Sequence, residues 1–574
     1  MNKQKIVFII AALIALTIAS YKAFYLFKTR KSEETLEYTI APKIDTAKPF
    51  FKVHLTFCSS QMEKLRFILP LSFHGQTQLY GQISDLQILA NKKTVFQKKK
   101  ITQDMLENNH LLVPIDSNKK QMVSVKYRFV PRAIWHKGIP KIDSRYFRFI
   151  GRTLFIFPDT DLTKKINVKL RWKNIPASWN VINSHGVNQT TQRIEIPARQ
   201  FITKECMYAG GDFEIHKKLI QGKPLYIGIR GSWRSPQNDL TKKDFIDLTE
   251  KIVHEERSFW NDFNYPYFFV LLIPSESETS FWGTGLYNGF CLTWKNRVFN
   301  REATAFILAH ELFHNWVGSN GKIKMGQAEY YWFSEGFTDY YAALILLRIG
   351  IISFENYVKR YNNVLFNYFT SPARNYPSKK AIELRHTSWR IEKLPHYQGN
   401  IIAQEWNTNI KAKSNGKYSL DNIMLDLKNA ARGADLALSF NSLLEQVSKK
   451  YLKKEVLADI KKYIIDGQTI QPTTNALGPC CSLEIKKMKE FDEGCKLGLS
   501  IQKGKIIGVK KDGPAYKAGL RDGQIILKWD TVVPPQKNSL IKLKIKDLDG
   551  SIKTVRYYPK GKREFDVPQY VVKQ

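Results

Sequence analysis

The run LAHELFHNWVGSN, residues 308–320, constrains this chain more than any other stretch. Around it Ala305, Phe306, Leu308, Ala309, Leu312, Phe313 and Trp316 recur at helical spacing, which demands a largely buried helix. Asn300 is the expected N-cap, Glu302 a favourable first-turn acid, and Gly318 the stop. His310 and His314, four residues apart, share one face of that helix. Two imidazoles and the Glu311 carboxylate on a buried helix are costly without partners. A metal ion relieves that cost, and this spacing suits two donors of one tetrahedral Zn2+. Water on such an ion has a pKa near ~7, and Glu311 is placed to accept its proton during attack on a carbonyl.

A tetrahedral site needs a third protein donor. The segment WFSEGFTDYY, residues 332–341, offers Glu335, with Ser334 as the expected N-cap of a helix ending at Gly350. Glu329 competes as a loop carboxylate, but a helix holds a ligand more rigidly, so Glu335 is preferred. Asp339, one turn later, is expected either to orient a metal-bound histidine or to be an exposed charge.

The rest of the chain sets the frame. Lys3 and Lys5 precede IVFIIAALIALTIAS, a basic region followed by an apolar run of signal-peptide length. Continued to Phe27 the run suffices to span a bilayer. Residues 1–30 are therefore expected to be a signal peptide or membrane anchor, with the protein facing the periplasm or exterior, or exported after cleavage. Residues 31–48 are polar and read as a linker. Residues 49–225 carry strand signals such as INVKLRW, an alternating apolar segment, and predict a β-rich domain. From 226 strands and helices mix to about 350, and residues 351–470 read as mainly helical. The net charge of +37 comes from scattered lysines without a nucleic-acid motif, so no specific nucleic-acid partner is expected. Six cysteines without a C-x-x-C pair exclude a disulfide scaffold and a cysteine metal cluster. A bridge from Cys495 to Cys480 or Cys481 and free thiols are both open.

HELFHNW followed by WFSEGFTDYY resembles the gluzincin metallopeptidases, and more narrowly the glycyl aminopeptidase family, zinc peptidases that carry a C-terminal PDZ domain. The resemblance runs from residue ~220 to the end, with GPAYKAGLRDGQII looking like part of a PDZ unit over 485–565. It implies a multidomain α+β fold: the β-rich N-terminal domain, a thermolysin-like catalytic domain over 226–350, a helical domain over 351–470, and the PDZ domain. It implies one zinc ion on His310, His314 and Glu335, with Glu311 as base. It also implies a peptide C-terminus held at Leu497, Gly498 and Leu499 by strand addition.

Two positions depart from the family pattern. GTGLYNGF, which holds Gly283 and Gly285 and would line the substrate, has Tyr287 and Asn288 where a glutamate that binds the substrate amine is expected. In PHYQGN, His396 falls where the oxyanion-stabilising tyrosine usually lies, and Tyr397 is one residue later; either is a candidate donor. The expected activity is peptide hydrolysis of the aminopeptidase kind. An endopeptidase of the same fold, or a metal-binding PDZ scaffold with impaired catalysis, are the alternatives.

Overall fold

The computed structural model describes residues 35–59, 64–70, 77–115, 120–132, 140–159, 164–198, 201, 206–231, 233, 240–274, 282–294, 301–318, 321–323, 325, 328–433, 440–492, 494–495, 505–529 and 540–573. The chain divides into two compact units between Asp212 and Phe213.

The first unit is built of β-sheets. The largest has seven strands, in spatial order Thr191–Pro197, Lys165–Trp172, Thr35–Lys43, Phe50–Cys58, Met122–Phe129, Ile83–Ala90 and Lys93–Lys100. Lys165–Trp172 buries Ile166, Val168, Leu170 and Trp172 on one face, as its alternation predicts. Thr35–Lys43 corrects the linker expected over 31–48. It runs parallel to Lys165–Trp172 and antiparallel to Phe50–Cys58, burying Leu36, Tyr38 and Ile40. Its charged residues face away from the core, so composition hid a period-two pattern.

The second unit begins with a five-stranded mixed sheet in the order Phe213–Ile220, Lys223–Arg230, Phe268–Pro274, Gly289–Trp294 and Trp282–Leu286. Phe213–Ile220 pairs along its whole length with Lys223–Arg230. That hairpin moves the unit boundary forward from the expected 225. The parallel step from Lys223–Arg230 to Phe268–Pro274 is bridged by helix Lys242–Phe259, opened by a Thr241–Asp244 capping box. Phe268–Pro274 lies at the centre and is almost wholly buried, hence its unbroken apolar run FFVLLIP. Helices Arg301–Phe313, Gly336–Arg348, Phe354–Phe369, Leu394–Lys413, Leu420–Gly433 and Phe440–Leu452 follow, and their apolar faces join the sheet in one core.

At the C-terminal end, Cys481–Phe491 pairs with Lys560–Val572, and Met488, Phe491, Val567 and Tyr570 join that same core. Asn362 ties them to helix Phe354–Phe369, donating to Tyr570 O at 2.8 Å and accepting from its N–H at 2.7 Å. Between these strands lies a separate small core of Cys495, Ile506, Ala515, Leu520, Ile541, Leu543, Ile545, Val555 and Tyr557. It covers the three-stranded sheet Ile525–Trp529, Ile541–Lys546 and Ile552–Tyr557 and a short helix, Pro514–Lys517. The six cysteines are free thiols. Cys495 belongs to the small core and Cys481 to the large one. Among the described residues no helix is long and apolar enough to cross a membrane. The N-terminal segment 1–30 lies outside the described residues.

Candidate metal centre

Helix Arg301–Phe313 ends earlier than the Gly318 stop predicts, and Asn300 lies outside the described residues. Its last turn tightens into i→i−3 bonds, Asn315 N–H to Leu312 O at 2.9 Å and Trp316 N–H to Phe313 O at 3.0 Å. A buried anchor holds this turn. Asp262 accepts from Trp316 Nε1 at 2.7 Å and from Lys322, while Arg257 stacks on Tyr265 and Trp316. The turn presents Val317 O to His314 Nδ1 at 3.0 Å.

Glu335 sits at the junction of two helical pieces, Tyr331–Ser334 and Gly336–Arg348. Ser334 is therefore no N-cap. Helical bonds run through the junction, Glu335 N–H to Tyr331 O and Asp339 N–H to Glu335 O, both at 2.9 Å.

These elements bring three donor atoms together. His310 Nε2 and His314 Nε2 are 3.2 Å apart, and Glu335 Oε2 lies 3.4 Å from the first and 3.7 Å from the second. Among the described residues this is the group of His, Cys, Asp and Glu that could hold a metal ion. Glu329 is not part of it. Zinc–ligand bonds of about 2.0–2.1 Å place tetrahedral donors roughly 3.4 Å apart, so the three atoms fit such an ion. The tautomers agree. His314 Nδ1 faces a carbonyl and His310 Nδ1 lies 2.8 Å from Asp339 Oδ1, so both Nδ1 protons point outward and both Nε2 lone pairs converge. Two lone pairs at this separation repel unless a cation or a proton lies between them.

The charges also prepare a cation site. Burial works against protonating His310, but Asp339 and Glu335 outweigh it and push its pKa up to about 10. Burial likewise opposes the charges on Glu335 and Asp339, and the surrounding histidines outweigh it, holding both carboxyls well below the usual range.

Asp339 bridges two histidines, with Oδ2 2.8 Å from His396 Nδ1. The His396 ring lies nearly parallel to that of His310, and its Nε2 is 3.7 Å from Glu335 Oε2 and 3.1 Å from Lys393 Nζ. Tyr397, next along helix Leu394–Lys413, is buried, and its hydroxyl has no partner among the described residues. Burial raises its pKa, so it keeps its proton. His396 is thus the one of the two with a contact to Glu335, while Tyr397 feels the charge of Asp339.

Gly283 explains how Glu311 is approached. It lies in the edge strand Trp282–Leu286, paired with Leu292, and a Cβ there would overlap the Glu311 side chain. Glycine lets this strand run against the carboxylate without displacing the Glu311 side chain. Gly285 pairs with Phe290 in the same hairpin, and Tyr287 and Asn288 form its two-residue turn, Asn288 at φ +58°. Each residue of a strand advances about 3.3 Å, which sets the turn four to five residues beyond Gly283 along the edge. Leu497, Gly498 and Leu499 lie outside the described residues.

One helix contact fixes the distance between Glu335 and His396. Gly336 and Gly399 meet back to back, and a Cβ on Gly399 would overlap the Trp332 carbonyl. The sequence offered no sign of this pairing, nor of the Asp339–His396 bridge, which joins residues 57 apart in the chain. Lys393 was also missed; its i, i+3 spacing to His396 at a helix start was the available signal.

Glu256 was missed too. It is fully buried in helix Lys242–Phe259, and neither carboxyl oxygen has a partner among the described residues. Burial drives its pKa well above the ordinary value of 4.5, against the pull of Arg257 and His310. The folded chain thus keeps a proton that the unfolded chain releases, so this group's contribution falls as pH rises above ~4.3. Glu256→Gln has no such proton. Its stability relative to wild type is expected to rise with pH above ~4.3, by at most about 1.4 kcal/mol per pH unit, read from denaturant unfolding. A pH-independent difference would show that Glu256 is ionised in the fold.

The solved structure of an aminopeptidase N family protein from Idiomarina loihiensis shares this fold, with a TM-score of 0.69 at 17% identity over 94% of this chain and 98% of that one. No curated protein matches the sequence. Residues 303–412, from the two histidines through His396, match the family model of the M61 glycyl aminopeptidases. Over the segment that builds this centre, the chain is thus similar to the M61 glycyl aminopeptidases.

Proposed function

We propose that this chain is a zinc metallopeptidase of the aminopeptidase kind. The observation that carries the reading is the triangle of His310 Nε2, His314 Nε2 and Glu335 Oε2, whose edges of 3.2, 3.4 and 3.7 Å match a tetrahedral ion. A zinc ion held there would polarise the scissile carbonyl and lower the pKa of water to about 7. Glu311, against the edge strand, takes the proton of the attacking water and passes it to the leaving amine. Strand Trp282–Leu286 offers its open edge to an extended substrate backbone. His396 stands beside Glu335 with its ring fixed by Asp339, and in the form that carries a proton on Nε2 it could meet the oxyanion. Asp339 also orients His310.

The hairpin turn of Tyr287 and Asn288 supplies no carboxylate for a substrate amine, and this favours endopeptidase cleavage as the second reading. The C-terminal strands with helix Pro514–Lys517 are read as the PDZ unit, and the N-terminal apolar segment as the export signal or anchor.

The test is digestion of a peptide library by the full chain with and without a chelator. Cleavage is expected to disappear on metal removal and to return with added Zn2+. Cleavage that persists after the metal is removed overturns the reading. The position of cleavage separates the two peptidase types.

A further inference from the structure

Lys393 is a cation that the proposed chemistry does not use. Its backbone is set between the short helix Trp389–Glu392 and helix Leu394–Lys413, with its N–H bonded to Trp389 O at 2.8 Å. The side chain is partly buried, and its Nζ lies 3.1 Å from His396 Nε2. An ammonium has three donors, and here one meets an imidazole. Lys393 pairs with no carboxylate among the described residues, whereas other partly buried cations of this unit do. Arg360, for example, is matched by Glu302. Two contacts, of 3.1 Å and 3.7 Å, link Lys393 Nζ through His396 Nε2 to Glu335 Oε2. An extended peptide advances about 3.3 Å per residue, so a group one residue from the scissile bond reaches this ammonium.

We propose that Lys393 is a specificity-determining residue that selects peptides with a carboxylate within one residue of the scissile bond. The carboxylate is either an Asp or Glu side chain or the free C-terminus of a short peptide. The inference rests on the peptidase reading of the site. Two features support it. A cation without a carboxylate partner, held against His396 beside this centre, gains most from an anion that arrives with the substrate. The hairpin, conversely, offers no carboxylate for a substrate cation.

The experiment uses matched peptides that differ in a single charge: Asp against Asn on either side of the cleaved bond, and C-terminal acid against C-terminal amide. Cleavage by the full chain gives kcat/KM ratios. Binding of the same peptides to the metal-loaded Glu311→Gln variant, measured by calorimetry, gives a readout that needs no turnover. The carboxylate member of a pair is expected to be favoured about tenfold or more in both, as for a charge-assisted hydrogen bond. Lys393→Met is expected to bring the ratio to about one, and Lys393→Glu to reverse it in favour of the neutral member. The pair that responds identifies side chain or terminus as the source. A wild-type ratio near one, or a Lys393→Met loss that is equal on acidic and neutral peptides, overturns the proposal; the latter marks Lys393 as an oxyanion donor. If no peptide is cleaved, the peptidase reading fails, and the binding ratios still decide the role of Lys393.

Discussion

Glu311→Gln is expected to leave the metal bound and to reduce peptide cleavage by roughly a thousandfold. Gln has the shape of Glu and cannot accept the proton of the attacking water. The ligand triangle does not involve this side chain, since it is made by His310, His314 and Glu335. Metal content and thermal midpoint should therefore match the wild type, and the loss should fall on kcat. The side chain stands directly against Gly283, so the edge strand and the base form one wall of the site. A variant that keeps its metal and cleaves within tenfold of wild type would remove Glu311 from the role of base.

Gly399→Ala is expected to destabilise the second unit by about 3 kcal/mol, at the upper end for overpacking, and to lower activity with it. Intrinsic helix propensity argues the other way, favouring Ala over Gly by about 1 kcal/mol. Tertiary contact wins because the new methyl would overlap the Trp332 carbonyl, a backbone atom in a buried turn. The two segments must then part, and they are the ones that hold Glu335 and His396. Unfolding and metal content of the variant check this together. A stabilised Gly399→Ala variant with full metal content would show that the segments can separate without disturbing the centre.

The centre divides into parts of different legibility. His310, Glu311 and His314 were readable because their relation is local: the period of one helix puts both imidazoles on one face. Glu335 was singled out as a helical carboxylate, while Asp339, one turn later, stayed open between orienting a histidine and being an exposed charge. The helix boundaries were read less well. Ser334 fails as a cap and Gly318 as a stop because buried contacts, such as Trp316 Nε1 to Asp262, set where those helices turn.

In the N-terminal unit, the alternation of Lys165–Trp172 announced a strand, whereas Thr35–Lys43 passed for a linker. The two are neighbours in one sheet. The difference lies in charge: Lys31, Glu33, Glu34 and Glu37 cluster at the start of the second segment and mask the apolar residues that follow.

By itself, then, the sequence determined what one helical turn can carry: the paired histidines, the glutamate between them, and the Glu335 expected to join them. Only the tertiary structure decided what stands opposite. It set Gly283 against Glu311, Gly336 against Gly399, His396 between Asp339 and Glu335, and Lys393 against His396. The physical reason is range. Helical periodicity acts over three or four residues and is written in neighbouring side chains. The approach of two segments depends on which atoms are absent at the contact, and a glycine in a sequence does not say which backbone it admits.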